Sequence, residues 1–323
     1  MSRVFWGSWW LVASLWALWL HGQLRQSSRL PPSWVSRSWT ALHRAQLPPD
    51  SCCGPCMGLV RDPPRVHWIV KTSPKTCTLQ SRCGELQDTW ARRVLCYNQT
   101  VSFMDAGSDR PRGLDPHPRF RYVNYSGSHD SAELGKKEMW EWRYILDQDP
   151  GVDWVAAADD DTYFLVDNIM AYLKTLDPSE PMALGRRFVR TLGKLLFNSG
   201  GAGFILSRAG IAKAGPYMDE CSKKWGREAG DNTAAHCWQR AGVKIADTRD
   251  SHGRERFHPF PYDLHLHLTT VSEKDWYYKY STAIAPLHEG PDCCGENETL
   301  SFHYMSGKMR SFVWPPRRKP KSR

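Results

Sequence analysis

Three adjacent carboxylates close the stretch Val155-Ala-Ala-Ala-Asp159-Asp160-Asp161-Thr162-Tyr163. Side by side, three acids repel one another and persist only where a cation or solvent offsets the charge. The apolar run before them reads as a buried strand. At the carboxyl end of such a strand, where α/β sheets bind ligands, a divalent cation is an effective compensator. A solvated acidic turn after a strand satisfies the same residues. Asp231 opens a short helix, a position that suits either an N-cap or a functional carboxylate. Four small residues in Asn198-Ser-Gly-Gly-Ala-Gly203-Phe-Ile-Leu-Ser207 allow the backbone to come close to a ligand or a neighbouring strand. No Lys-Ser/Thr pair follows them, which argues against nucleoside triphosphate hydrolysis.

These residues need a scaffold, and the hydrophobic pattern supplies one. Short apolar runs at Val66–Val70, Val94–Tyr97, Arg121–Tyr125 and Asp153–Ala158 are predicted strands. Helical spacing marks 79–93, 131–148 (Leu134, Met139, Trp142 and Ile145 on its apolar side) and 166–176. Strands are also expected at Met182–Phe188, before Ser207 and at Val243–Thr248, with a helix over 231–241. Strands alternating with helices predict an α/β fold with a mainly parallel central sheet covered by helices.

The 323 residues carry 16 Trp, a composition suited to stacking on flat or sugar-like ligands and equally to aromatic cores. The net charge of +9 is concentrated partly in a Pro-rich end (Arg317, Arg318, Lys319, Lys321, Arg323). No basic stripe interleaved with aromatics occurs mid-chain, so nucleic acid is not an expected partner. Ten cysteines with sequons at Asn98, Asn124 and Asn297 point to an oxidising, glycosylating compartment. Residues 1–3 read as a short cytoplasmic tail. Residues 4–20, apolar and uncharged, read as a signal anchor of the length that suits early secretory membranes. A cleaved signal peptide is the rival, but Leu20-His21-Gly22 supplies only one of the two small residues its cleavage site wants. Residues 21–64 are a Ser/Pro/Arg-rich stem, 65–314 the folded domain and 315–323 a basic tail. Cys52-Cys-Gly-Pro-Cys56 lacks a second ligand pair for zinc and a redox-fold context, so disulfide bonding within the stem, or to a second chain in a homodimer, is expected there.

Eight stretches then occur together in order: Ile69-Val-Lys-Thr-Ser-Pro74, Asp88-Thr-Trp90, Asp159-Asp-Asp-Thr-Tyr163, Gly185-Arg-Arg-Phe188, Ser199-Gly-Gly-Ala-Gly-Phe204, Arg256-Phe-His-Pro-Phe260, Glu289-Gly-Pro-Asp-Cys-Cys294 and Ser301-Phe-His-Tyr304. With them the chain resembles the core 1 β1,3-galactosyltransferases, within the wider fringe-like β1,3-glycosyltransferases. The resemblance implies a GT-A type nucleotide-sugar fold, Mn²⁺, and UDP-galactose as donor. It also implies glycoproteins bearing GalNAc on Ser or Thr as acceptors, and a Golgi type II membrane location. By the same resemblance Asp159, Asp161 and His303 are metal ligands, although a lone histidine is ordinarily structural. Thr72, Lys137, Asp159, His303 and Tyr304 fall on the nucleotide side, and Trp276, Tyr277 and Tyr278 in the cluster that receives the acceptor sugar. Asp231 is the candidate base, in a stretch that keeps the family's Asp and Cys237 but lacks its Glu and Gly. The family also includes a catalytically silent chaperone without the intact acid triplet, so that role and a transferase of other sugars are the competing expectations.

Overall fold

Val66–Lys71 (β1) is apolar except for His67 and is closed by a lysine, and its first five residues are buried. A strand covered on both faces reads in this continuous way rather than alternating. Thr100–Met104 (β2) pairs parallel to it on one side, with Phe120–Val123 (β3) beyond, and Trp154–Asp159 (β4) pairs parallel on the other. The computed structural model that shows this describes residues 56–315 except 110, 129, 191–193 and 269. The triplet therefore leaves the carboxyl end of a central strand.

The chain next forms Tyr163–Phe164 (β5), Met182–Gly185 (β6), Arg187–Val189 (β7), Leu196–Asn198 (β8) and Phe204–Ser207 (β9). It adds Lys244–Ile245 (β10), Phe257–His258 (β11) and Ser301–Phe302 (β12). The main sheet has the order β10-β6-β9-β4-β1-β2-β3. Only β9 runs against its neighbours β4 and β6, so the sheet is mainly parallel, as the alternation predicts. A small sheet, β11-β12-β5, brings the Ser301–Tyr304 segment alongside the residues that follow the triplet.

The helices are Arg82–Gln87 (α1), Trp90–Cys96 (α2), Leu134–Gln148 (α3), Val166–Leu173 (α4), Arg208–Ala214 (α5), Met218–Trp225 (α6), Gly230–Ala241 (α7), Tyr262–His267 (α8) and Trp276–Thr282 (α9). Successive side chains of β1 go to opposite faces. Trp68 and Val70 pack with Trp90, Phe103 and Phe164 under α1, α2 and α4, whereas Ile69 packs with Trp142, Phe204 and Trp238 under α3 and α7. Trp68, Trp90, Trp142, Trp154 and Trp238 are all fully buried, so much of the tryptophan content serves the core.

Several local expectations are corrected. Val94–Tyr97 is the end of α2 rather than a strand: Trp90, Ala91 and Val94 lie on one buried helical face, and that packing overrides β-branched preference. The strand is β2, which the sequence reading passed over. The expected helix over 79–93 is two short helices, and Leu134 on α3 faces outward, 46 % exposed.

Cys56 bonds to Cys96 at the end of α2, so this stem cysteine is tied to the folded domain and is not free for a bridge to a second chain. Cys77–Cys83, Cys221–Cys237 and Cys293–Cys294 are also bonded. Cys52 and Cys53 lie outside the described residues, as do the expected anchor over 4–20, most of the stem and the basic tail from 316. Among the described residues no helix is long and apolar enough to cross a membrane. Asn98, Asn124 and Asn297 are all exposed.

His258 makes the fold sensitive to acid. Burial, then the neighbouring His265 and Arg186, lower its pKa well below 6.5. The folded state thus resists a proton that the unfolded chain takes up at about 6.5. The corresponding stability is present above that pH and is lost as pH falls from it toward the folded value. The melting temperature is expected to drop on acidification below about pH 6.5, and less steeply in His258→Gln. Identical pH profiles for the two proteins would contradict this.

Candidate metal and donor site

Backbone geometry separates the three acids. The turn after β4 is closed by Thr162 N–H donating to the Asp159 carbonyl at 3.0 Å. The middle acid, Asp160, points inward. It accepts from Thr72 Oγ1 at 2.7 Å, from Thr76 Oγ1, and from Arg82 Nη1 at 2.6 Å. Held by three donors, it is a buried structural acid. Asp159 is 39 % exposed at its side chain and Asp161 is 9 % exposed, and both lie next to His303.

His303 completes the group from a different sheet. Its Nε2 lies 3.1 Å from Asp161 Oδ1 and 3.9 Å from Asp159 Oδ2. The backbone holds it there: His303 N–H donates to the His258 carbonyl at 3.1 Å, and Met305 N–H donates to the Asp161 carbonyl at 2.8 Å. Tyr304 stacks on the imidazole at 3.8 Å between ring centroids. Tyr304 takes a φ of +55°, a left-handed conformation that costs a non-glycine residue about 1–2 kcal/mol.

Gly201 explains part of the glycine-rich stretch. A Cβ there would lie 2.0 Å from His303 Cε1, so only glycine admits the ring. Gly203 meets the other requirement, with a φ of +77° and Phe164 2.7 Å from where a Cβ would stand. The close approach that the sequence allows is therefore to His303 and to the core. Gly201→Ala is expected to displace the imidazole and weaken divalent-cation binding by about 10–100-fold, as changes to supporting residues of metal ligands commonly do. A Mn²⁺ binding titration that matches the parent protein would refute it.

Burial alone would raise the Asp161 pKa, but His303 and Arg82 beside it outweigh burial and hold it below the usual carboxylate range. One ligand atom from each of Asp159, Asp161 and His303 can be chosen so that all lie within 4.8 Å of one another. Donors held at about 2.0–2.6 Å from one cation fit that spread. Two carboxylates and an imidazole suit a divalent ion such as Mn²⁺.

Beside this group opens a cleft of about 380 Å³. Thr72 and Ser73 at the end of β1, Lys137, Glu138 and Glu141 on α3, Gly200 and Gly201, and Gly230 and Asp231 on α7 line it. Of the expected nucleotide-side residues, Thr72 spends its hydroxyl on Asp160. Lys137 bonds to the Thr72 carbonyl and sits 2.9 Å from Asp105 Oδ2. Asp231 does not cap its own helix, whose N-cap is Ala229. It accepts from Gly200 N–H at 3.1 Å and so ties α7 to the glycine loop. Burial raises its pKa, with Glu138 and Asp159 adding to the effect, while Gly200 and Lys71 oppose it.

The Fringe-like family profile matches residues 64–271, well over half of the chain. The chain belongs to the Fringe-like family. It is 36 % identical over 167 residues to glycoprotein-N-acetylgalactosamine 3-beta-galactosyltransferase 1 of Xenopus laevis, a stretch covering 51 % of this chain and 44 % of that protein. It is 29 % identical over 174 residues to human chondroitin sulfate synthase 3, covering 51 % of this chain and 19 % of that one. It is also 27 % identical over 167 residues to mouse beta-1,3-glucosyltransferase, covering 50 % and 34 %. The matched stretches thus span less than half the length of these relatives. A solved glycosyltransferase involved in glycosylation of the major capsid of PBCV-1 superposes with a TM-score of 0.32 at 12 % identity, over 50 % of this chain and 66 % of that one, too slight a likeness to argue from. The ordered motifs that resemble core 1 enzymes thus belong to a Fringe-like chain related to one of them.

His303 and the aromatic cluster lie beyond the family match. Tyr277 is buried among Phe188, Phe260 and Trp276, and its hydroxyl bonds to Glu289, so its ring is core rather than open surface. Trp276 and Tyr278 are part-exposed. Sequence reasoning missed Arg82, which binds both Asp160 and Asp161. It also missed Lys71, whose Nζ lies 3.3 Å from Asp159 Oδ1 and 3.3 Å from Glu138 Oε2. The one available signal was a charged residue closing an otherwise apolar strand.

Proposed function

We propose that this Fringe-like chain is an inverting glycosyltransferase of GT-A type that moves galactose from UDP-galactose to the 3-hydroxyl of GalNAc on Ser or Thr of glycoproteins. The observation that carries the reading is the grouping of Asp159, Asp161 and His303 beside a cleft that both Asp159 and Asp231 line. The 36 % identity to the Xenopus galactosyltransferase supports the choice of sugars. Mn²⁺ held by the three ligands would offset the charge that develops on the departing diphosphate. The remaining chemistry belongs to side chains. Asp231, in the same cleft, takes the acceptor hydroxyl's proton as it attacks the anomeric carbon from the face opposite the leaving group. Its hydrogen bond to Gly200 fixes the carboxylate's direction. Thr72, Lys137 and Tyr304 border the nucleotide, and Trp276 and Tyr278 offer faces to the acceptor sugar.

The protein would act in the Golgi lumen, anchored through residues 4–20. The intact pair Asp159 and Asp161 beside His303 favours an enzyme over a silent chaperone. Incubation with Mn²⁺, a panel of UDP-sugars and a GalNAc-peptide tests the assignment. Galactose joined β1,3 to GalNAc is the expected product. Transfer of another sugar would leave the reaction class and change the substrate, and no transfer from any donor would overturn the reading.

A further inference from the structure

The cleft wall contributed by α3 presents Lys137, Glu138 and Glu141, spaced so that they share one helical face. Two of the three are committed. Lys137 is held by Asp105 and the Thr72 carbonyl. Glu138 accepts from Trp142 Nε1 at 2.8 Å and pairs with Lys71. Glu141 differs. It is 2 % exposed and borders the cleft, yet among the described residues its carboxyl has no hydrogen-bond or ion-pair partner. Buried polar side chains nearly always have one, so a carboxyl without a protein partner that borders a cleft is a place where a ligand can complete the bonding.

The surroundings limit the ligand's chemistry. Burial, then Glu138 and Asp159, push the Glu141 pKa well above the carboxylate range, with Lys137 and Lys71 opposing. A protonated carboxyl offers one O–H donor and retains acceptor capacity, which complements a hydroxyl group. Asp159 and Asp231 line the same cleft. In the reaction described above, a sugar that reaches both the metal-side carboxylate and the base occupies the cleft that Glu141 also lines.

We propose that Glu141 holds a hydroxyl group of the donor's sugar and so helps determine which nucleotide sugar this protein takes. The proposal rests on the nucleotide-sugar reading of the cleft. It is tested by titrating UDP and UDP-galactose, each with Mn²⁺, into the parent protein, Glu141→Gln and Glu141→Ala, alongside transfer kinetics and melting curves. Glu141→Ala is expected to bind UDP within about twofold of the parent while kcat/KM for UDP-galactose falls by about 10–100-fold, the range for losing a hydrogen bond to a buried group. Glu141→Gln, which keeps a donor and an acceptor, should recover to within about fivefold. Among UDP-deoxygalactose analogues, one should lose activity with the parent protein but not with Glu141→Ala, which identifies the hydroxyl.

Unchanged donor kinetics in a folded Glu141→Ala overturns the proposal and leaves the transferase reading intact. Equal weakening of UDP and UDP-galactose also overturns it, because the role is then structural or directed at the nucleotide. A parent protein that neither binds UDP-galactose nor transfers from any UDP-sugar overturns both. Should Glu141→Ala unfold at assay temperature, Glu141→Met against Glu141→Gln makes the same comparison.

Discussion

Asp161→Ala is expected to lower Mn²⁺-dependent transfer by about a thousandfold or more, since a ligating charge is worth several kcal/mol at the transition state and each 1.4 kcal/mol is tenfold. Asp161 is the sharper test than Asp159 because it is nearly buried and lies closest to His303. The substitution leaves Arg82 its bond to Asp160, so the fold should survive. The neighbouring acid supplies the contrast. Asp160→Ala removes the acceptor shared by the Thr72 and Thr76 hydroxyls, which keep their contact with each other and with Ser73, and the partner of one guanidinium nitrogen of Arg82, which is itself 35 % exposed. It should cost about 2–3 kcal/mol of stability after allowing for that exposure. Adjacent carboxylates would thus fail in different assays: at Asp161 loss of activity dominates, with a smaller fall in melting temperature from the lost contacts to His303 and Arg82, and at Asp160 the fall in melting temperature dominates. Equal activity of Asp161→Ala and the parent protein would remove Asp161 from the metal site.

Asp231→Asn carries the second large effect. An amide oxygen can still accept from Gly200 N–H, so the glycine loop stays in place, but the group can no longer take a proton. Turnover should fall by about 10²–10⁴-fold with UDP affinity retained. The pH profile gives an independent reading. The active base is deprotonated, so turnover declines as pH falls through the Asp231 pKa. Burial raises that pKa, and the acid limb should therefore begin above the pH expected for an ordinary carboxylate. The limb should disappear from the residual activity of Asp231→Asn. A parallel loss of UDP binding would instead mark Asp231 as a brace between α7 and the Gly200 loop.

What the sequence disclosed follows from where its signals are local. The buried strands β1 and β4 are apolar runs, interrupted only by His67 in β1, and the acids begin at the last residue of β4, so the strand, the triplet and the helix after it were legible directly. β2 was not, because Thr100–Met104 mixes polar and apolar residues while Val94–Tyr97 nearby has the more strand-like composition. The site was legible only in part. Nothing in the residue types separates Asp160 from its neighbours; that division arises when Thr72, Thr76 and Arg82, some eighty residues away, converge on the middle acid. The glycine stretch announces close approach without naming the partner, which is His303, more than a hundred residues on. Lys71, Glu138 and Glu141 gather at one cleft through long-range packing of β1 against α3. Tyr277 illustrates the opposite error, since an aromatic cluster in sequence can be a core in space.

The most direct test of the central claim is the affinity of UDP measured by calorimetry with and without Mn²⁺. If Asp159, Asp161 and His303 hold the cation that anchors the diphosphate, Mn²⁺ should tighten UDP binding by about tenfold or more, and His303→Ala should abolish that gain. Equal UDP affinity with and without Mn²⁺ in the parent protein would contradict the account.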